Sequence, residues 1–173
     1  GPSGIGPTTP NGFGHLTPEG VATELDAKAP FTGGIVTGLD GNLWYASAGD
    51  GMRAPGRIGR MTPEGVVTLF DVPLPQSAPQ DVALGADGNV WFADAVGAIG
   101  RITPSGAMTL FPTPTANSVP FHITQGPDGA LWIVDMYRYV IEHPRWISPE
   151  QLATLDVRAG ADKGRIYRIV AEG

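Results

Sequence analysis

The sequence predicts an all-β fold made of repeated four-stranded antiparallel sheets, and three observations carry that prediction. The first is repetition. Asp87-Gly88-Asn89-Val90-Trp91-Phe92-Ala93-Asp94, followed by Ile99-Gly100-Arg101-Ile102-Thr103-Pro104-Ser105-Gly106, has two close counterparts. One is Asp40-Gly41-Asn42-Leu43-Trp44-Tyr45 with Ile58-Gly59-Arg60-Met61-Thr62-Pro63-Glu64-Gly65, and the other is Asp128-Gly129-Ala130-Leu131-Trp132-Ile133 with Ile166-Tyr167-Arg168-Ile169. A further copy of the second half, Phe13-Gly14-His15-Leu16-Thr17-Pro18-Glu19-Gly20, lies near the start. The second observation is period: the turn glycines Gly20, Gly65 and Gly106 stand 45 and 41 residues apart, the length of one β-propeller blade at about 40–50 residues. The third is composition. With 25 Gly and 17 Pro but only 16% charged residues, the chain is suited to many tight turns between short strands.

The elements follow in chain order. Residues 1–12 read as an irregular lead-in. In the clearest repeat, the apolar run 79–84 is the first strand. Asp87-Gly88 is a hairpin signal, read as a type I′ turn because Gly accepts positive φ. Residues 90–93 and 99–102 are the second and third strands. Thr103-Pro104-Ser105-Gly106 suits a type I turn, with Pro at its second position and Gly at its fourth. Residues 108–111 form the fourth strand. Apolar residues fall on both parities, as expected where both sheet faces are buried. The chain therefore enters on the third strand of one unit, holds two complete units and reaches the third strand of another, about three blades in all. Closed propellers have about four to eight blades. Either further blades belong to a longer chain, or copies self-associate, two copies giving six blades.

Trp44, Trp91 and Trp132 share one repeat position. They could form an aromatic ligand platform, but recurrence in every unit favours packing between blades. Arg60, Arg101 and Arg168 likewise read as a repeated structural hydrogen bond or a solvated edge. His15 stands where Arg60 and Arg101 stand and reads as a substituted structural position.

A net charge of −6 argues against nucleic acid as a partner, since basic side chains supply most of that affinity. The absence of cysteine excludes disulfides, thiolate catalysis, Cys-ligated zinc and c-type haem attachment in these residues. No apolar run approaches the roughly 18 residues of a membrane-spanning helix.

The third unit departs from the others. Its Trp132 and Ile166 are 34 residues apart, against 14 and 8 for the equivalent pairs Trp44–Ile58 and Trp91–Ile99. The excess is an insertion at 136–163. In it Ser148-Pro149-Glu150-Gln151 reads as a capping box with Pro at the first helical position, predicting a short helix over 149–155. Long loops in compact repeats tend to carry function, and this one concentrates polar chemistry. Glu142 and His143 are candidates for general acid and base. Tyr137, Arg138, Arg145 and Trp146 are candidate ligand contacts, the arginines suited to an anionic group. Asp135, Asp156 and Asp162 are candidate ligands for a divalent cation, Mg or Ca, although no compact Asp-x-Asp-x-Asp loop accompanies them. His122, on the first strand of this unit, is a candidate base where propeller channels are lined. The structural alternatives are a lid pinned by Asp–Arg pairs and a packed, hydrogen-bonded histidine.

The Asp-Gly-Asn-Val-Trp-Phe-Ala-Asp … Ile-Gly-Arg-Ile-Thr-Pro-Ser-Gly unit resembles the repeat of the virginiamycin B (streptogramin) lyase family over roughly residues 12–132. The resemblance implies a seven-bladed propeller and an elimination that opens a cyclic depsipeptide, using histidine, glutamate and magnesium. In that family the catalytic His directly follows the Pro of the first strand. Here Gly33, Gln80 and Phe121 hold that place, and His122 falls one residue later, so strict alternation sends it to the opposite face of the strand. The catalytic residues do not carry over. From Asp128 onward the chain resembles a second group. Asp135-Met136-Tyr137-Arg138, Ile141-Glu142-His143-Pro144-Arg145-Trp146-Ile147, Asp156-Val157-Arg158-Ala159-Gly160 and Gly164-Arg165-Ile166-Tyr167-Arg168-Ile169 are similar to the propeller of bacterial secreted, membrane-bound dehydrogenase-like, haem-binding proteins. That resemblance implies an extracytoplasmic (periplasmic or secreted) parent with a redox role. The expectation is a propeller module that binds a small molecule or carbohydrate. The alternative is a lyase or hydrolase acting at the channel mouth.

Overall fold

The structure is a computed structural model, and it describes residues 12–29, 32–49, 54–135 and 164–170. Among the described residues thirteen strands form four antiparallel sheets. The first sheet pairs β1 (Gly12–Leu16) with β2 (Ala22–Asp26). The second runs β3 (Thr32–Thr37), β4 (Leu43–Ser47), β5 (Arg57–Met61), β6 (Val67–Asp71). The third runs β7 (Pro79–Leu84), β8 (Val90–Asp94), β9 (Ala98–Ile102), β10 (Met108–Pro112). The fourth holds β11 (Pro120–Gln125), β12 (Leu131–Asp135), β13 (Arg165–Ile169). Within each sheet the strands follow chain order, as propeller blades do. The content of two, four, four and three strands is the sequence-predicted one. The helix predicted over 149–155 lies outside the described residues.

The Asp-Gly turn corrects one expectation. A type I′ turn needs positive φ at both central residues, yet Gly88 alone is positive, at 76°, with Gly41 and Gly129 alike at 75° and 79°. Gly88 N–H donates to Gly85 O at 2.9 Å and Gly85 N–H donates to Asn89 O at 2.9 Å. The loop is thus three residues long and ends on a left-handed glycine, the other common hairpin solution. The Thr-Pro-x-Gly turn is built the same way: Gly106 N–H donates to Thr103 O at 2.9 Å and Gly106 has φ 93°.

The core lies between blades. Trp44, Ala46 and Ile58 of the second sheet cluster with Val82, Val90, Phe92 and Ile102 of the third. Ala83, Ala93 and Ile99 cluster in turn with Ile123, Leu131 and Ile133 of the fourth. Tyr45 and Met61 meet Phe13 and Leu25 of the first sheet.

The glycine of Ile-Gly-Arg has a packing reason. Gly59 lies opposite Tyr45, and Gly100 opposite Phe92. A Cβ on Gly59 would sit 2.0 Å from the Tyr45 ring, and one on Gly100 would sit 1.9 Å from the Phe92 ring. The fourth sheet reverses the pair, with Ile133 opposite Tyr167. One ring per cross-strand pair fills the space, and either strand can supply it.

At the end of the second strand, Asp94 and Asp135 are buried. Asp94 accepts from Ala78 N–H at 2.9 Å and from Ser77 Oγ. Asp135 accepts from Val119 N–H at 2.7 Å and from the Tyr167 hydroxyl at 3.2 Å. Both carboxylates fasten the link that leads into the first strand of their own blade.

Overpacking sets a direct test. Gly100→Ala should lower unfolding free energy by about 1–3 kcal/mol, read from urea denaturation. Adding Phe92→Ala should make the double variant less costly than the sum of the two single variants, because the second change removes the atoms that the new methyl strikes.

Candidate functional site on the inner strands

The first strands of three blades stand side by side: β7 packs against both β3 and β11. Each carries an irregularity at the same repeat position, between Thr32 and Ile35, between Pro79 and Asp81, and between Pro120 and His122. Such bulges insert an extra residue and re-aim the side chains around it. The extra residues on β7 and β11 are Gln80 and Phe121.

The bulge changes what His122 does. Strict alternation would separate Phe121 from His122, but their rings lie edge to face with centroids 5.0 Å apart. The His122 side chain is 63% exposed, and its Nδ1 lies 3.3 Å from Asp81 Oδ2 on the neighbouring blade. Asp81 is held in place by two backbone donors, Val82 N–H at 2.9 Å and Ile123 N–H at 3.1 Å. Glycines make room on its other side. A Cβ on Gly34 would fall 1.7 Å from Asp81 Oδ1, and one on Gly33 would fall 2.1 Å from Gln80 O. The amide of Gln80 turns back to Ala78 O at 3.0 Å.

A carboxylate beside Nδ1 fixes the imidazole tautomer: with the proton on Nδ1 directed to Asp81, Nε2 holds the lone pair. An exposed Nε2 acceptor of this kind can accept a hydrogen bond from a ligand or take a proton. Asp81 escapes a reading of the sequence by motif. The signal available is its repeat position, since Gly34, Asp81 and His122 are equivalent residues of the three first strands.

The remaining sequence-predicted residues divide cleanly. Asp135 has its oxygens engaged by Val119 and Tyr167, as described. Glu142, His143, Tyr137, Arg138, Arg145, Trp146, Asp156 and Asp162 lie outside the described residues. Among the described residues no group of three or more His, Asp or Glu side chains could hold a metal ion. Asp81 and His122 are a pair only, and Asp81 already accepts two backbone N–H groups. These residues do not fit the magnesium site that the family resemblance implies.

Trp44 and Trp91 are structural. Trp44 Nε1–H donates to Asp40 Oδ1 and Trp91 Nε1–H to Asp87 Oδ1, each at 3.1 Å. Arg60 lies over the Trp44 and Phe70 rings, 5.6 Å from each centroid. Arg101 lies over Trp91 and Phe111 at 5.6 and 6.0 Å, and Arg168 over Trp132 at 5.8 Å. Arg60 Nη1 also donates to Pro104 O of the next blade at 2.8 Å, whereas Arg168 donates to Asp128 of its own blade.

Bulged first strands standing side by side, on blades tied by Trp, Arg and Asp, define part of a β-propeller. The family model for the virginiamycin B lyase family matches residues 7–143, and the chain belongs to that family. A streptogramin B lyase structure is similar at 37% identity and TM-score 0.65, over 72% of this chain and 41% of that one. The virginiamycin B lyase of Staphylococcus aureus is similar at 29% identity and TM-score 0.64, over 90% of this chain and 47% of that one. A catalytically inactive histidine-to-alanine variant of the S. aureus enzyme, solved with quinupristin, gives 29% identity and TM-score 0.63, over 92% and 48%. The chain thus spans less than half the length of these structures. No curated protein matches it.

The turn carboxylates give the fold a pH dependence. Partial burial raises the Asp87 pKa, but hydrogen bonds from Asn89 and the Trp91 indole, with the Arg101 charge, outweigh it and hold the group below its ordinary value. Asp40 is lowered in the same way by Asn42, Trp44 and Arg60. Asp128 is lowered chiefly by its hydrogen bond from Arg168. A carboxyl depressed in the folded state stabilises above its unfolded pKa and loses that contribution as pH falls through the folded one. Tm should therefore hold from neutral pH to about 5 and drop below about pH 4. Asp87→Asn should show a smaller acid loss in the same thermal scans.

Proposed function

We propose that the described blades form part of the wall of a propeller channel that binds a small amphipathic molecule, with His122 as the group that engages it. The observation that carries this reading is the His122–Asp81 pair, an exposed imidazole oriented from the neighbouring blade on strands that line the channel. Phe121 adds an aromatic edge beside the imidazole, and such a mixture of apolar surface with one placed polar group suits small-molecule sites. The extracytoplasmic parent implied by the C-terminal resemblance belongs to the same proposal.

A second reading, lyase chemistry, is supported by the 37% identity to a streptogramin B lyase. His122 Nε2 would remove the proton α to a carbonyl while the neighbouring Cβ–O ester bond breaks. The C–H electron pair becomes the new C=C bond, and the carboxylate leaves. Asp81 would stabilise the imidazolium that forms.

Calorimetric titration of the whole protein with quinupristin distinguishes the outcomes. Saturable binding that weakens at least tenfold in His122→Ala, with the ligand recovered intact, supports the channel-binding reading. Appearance of a ring-opened product of unchanged mass, lost in His122→Ala and reduced in Asp81→Asn, supports the lyase reading. Heats indistinguishable from dilution, or binding untouched by His122→Ala, would overturn both assignments of His122.

A further inference from the structure

Gly34, Asp81 and His122 hold one repeat position on three successive inner strands, so the row runs from no side chain through a carboxylate to an imidazole. The Asp81 carboxylate touches both neighbours. Its Oδ1 accepts from Val82 N–H of its own strand and lies against Gly34 of β3. Its Oδ2 accepts from Ile123 N–H of β11 and lies 3.3 Å from His122 Nδ1. One side chain on β7 therefore bridges three blades.

The two adjacent glycines of β3 answer to different constraints. Neither has a positive φ, so backbone conformation demands neither. A Cβ on Gly33 would lie 2.1 Å from Gln80 O and 3.0 Å from Gln80 C, both main-chain atoms. Gly33 is thus set by the close approach of β3 to β7. A Cβ on Gly34 would lie 1.7 Å from Asp81 Oδ1 and 2.8 Å from Asp81 Cγ, but 3.1 Å from Asp81 Cα. The strand leaves nearly enough room at Gly34, and the carboxylate does not. A methyl group there would push the carboxylate from its seat, away from the Val82 and Ile123 N–H groups that hold it.

We propose that Gly34 is a positioning residue for His122 and acts through Asp81. The missing side chain keeps the carboxylate where Oδ2 accepts the hydrogen bond from Nδ1–H, and that bond holds the neutral imidazole with its lone pair on Nε2. So held, the neutral ring offers an acceptor and no further donor. The ligand group it suits is a hydroxyl or an amide N–H, not a carboxylate or a phosphate. The inference rests on the reading of His122 as the group that engages ligand, but it concerns the ligand-free ring and is tested there.

Nitrogen NMR of the imidazoles, on the whole protein in alkaline buffer where the ring is neutral, reads the tautomer directly. The chain has three histidines, and the signals lost in His122→Gln assign the ring. Wild-type protein should show the Nδ1–H form in excess. Gly34→Ala should lose that excess, and amide exchange at Ile123 should quicken about tenfold as the carboxylate leaves it. Asp81→Gly removes the atoms that the new methyl strikes. In that background Gly34→Ala should cost much less stability in urea than it does alone, and should leave the His122 signals of Asp81→Gly unchanged. Three results would each overturn the proposal: an Nε2–H ring in wild-type protein, a Gly34→Ala variant with wild-type signals and Ile123 exchange, or a methyl that costs as much without the carboxylate as with it. If Gly34→Ala alone does not fold, the double variant decides, since its failure to fold beside a folded Asp81→Gly also overturns the proposal. Quinupristin enters none of these measurements, so a failed titration and a failed positioning role are separate results.

Discussion

Each complete blade depends on one cluster, in which a tryptophan of the second strand stacks on a phenylalanine of the fourth (ring centroids 5.7 Å apart for Trp44–Phe70 and 5.5 Å for Trp91–Phe111) and an arginine of the third strand lies against both rings. Cation–π contact with two ring faces lets the guanidinium cross an apolar interface with few hydrogen bonds. The indole is itself anchored by the turn carboxylate. Turn, second, third and fourth strands are therefore locked by one cluster of side chains. Where the arginine reaches onward to the next blade, as Arg60 does to Pro104, the same cluster also sets the spacing between blades.

This arrangement explains why the repeat is conspicuous while the candidate site is not. The words Asp-Gly, Trp and Ile-Gly-Arg are demands of the blade itself. Asp-Gly supplies the turn and the indole's acceptor, Trp supplies the packed face, and Gly leaves room for the ring opposite. The wall of inner strands has no such demand. Its equivalent positions are free to hold Gly34, Asp81 or His122, and that freedom is what the inner strands contribute chemically.

The order of strands, the limits of β7 to β10 to within a residue, and the incomplete first and last sheets were legible in the sequence because they rest on local turn chemistry and on period. The turn type was not, since one left-handed glycine suits two hairpin geometries that differ at its neighbour. Strict alternation misjudged His122 because a bulge adds a residue that a period of two does not count. Asp81 escaped because its role comes from contacts with Ile123 and His122, some forty residues away in sequence. The phenylalanine half of the stack was missed for a related reason: Phe70 and Phe111 fall outside the contiguous repeat words. The polar cluster of the 136–163 insertion lies outside the described residues.

Strand order within the sheets also bears on how the chain folds. Every blade is a meander whose neighbours in space are neighbours in sequence, joined mostly by tight turns. Pairing within a blade therefore closes only short loops and costs little chain entropy. Either complete blade can form first and serve as the surface on which the next condenses, as in other linear repeat architectures. The long excursion between β12 and β13 is the exception. It makes closure of the last sheet entropically the most expensive step, and so a late one.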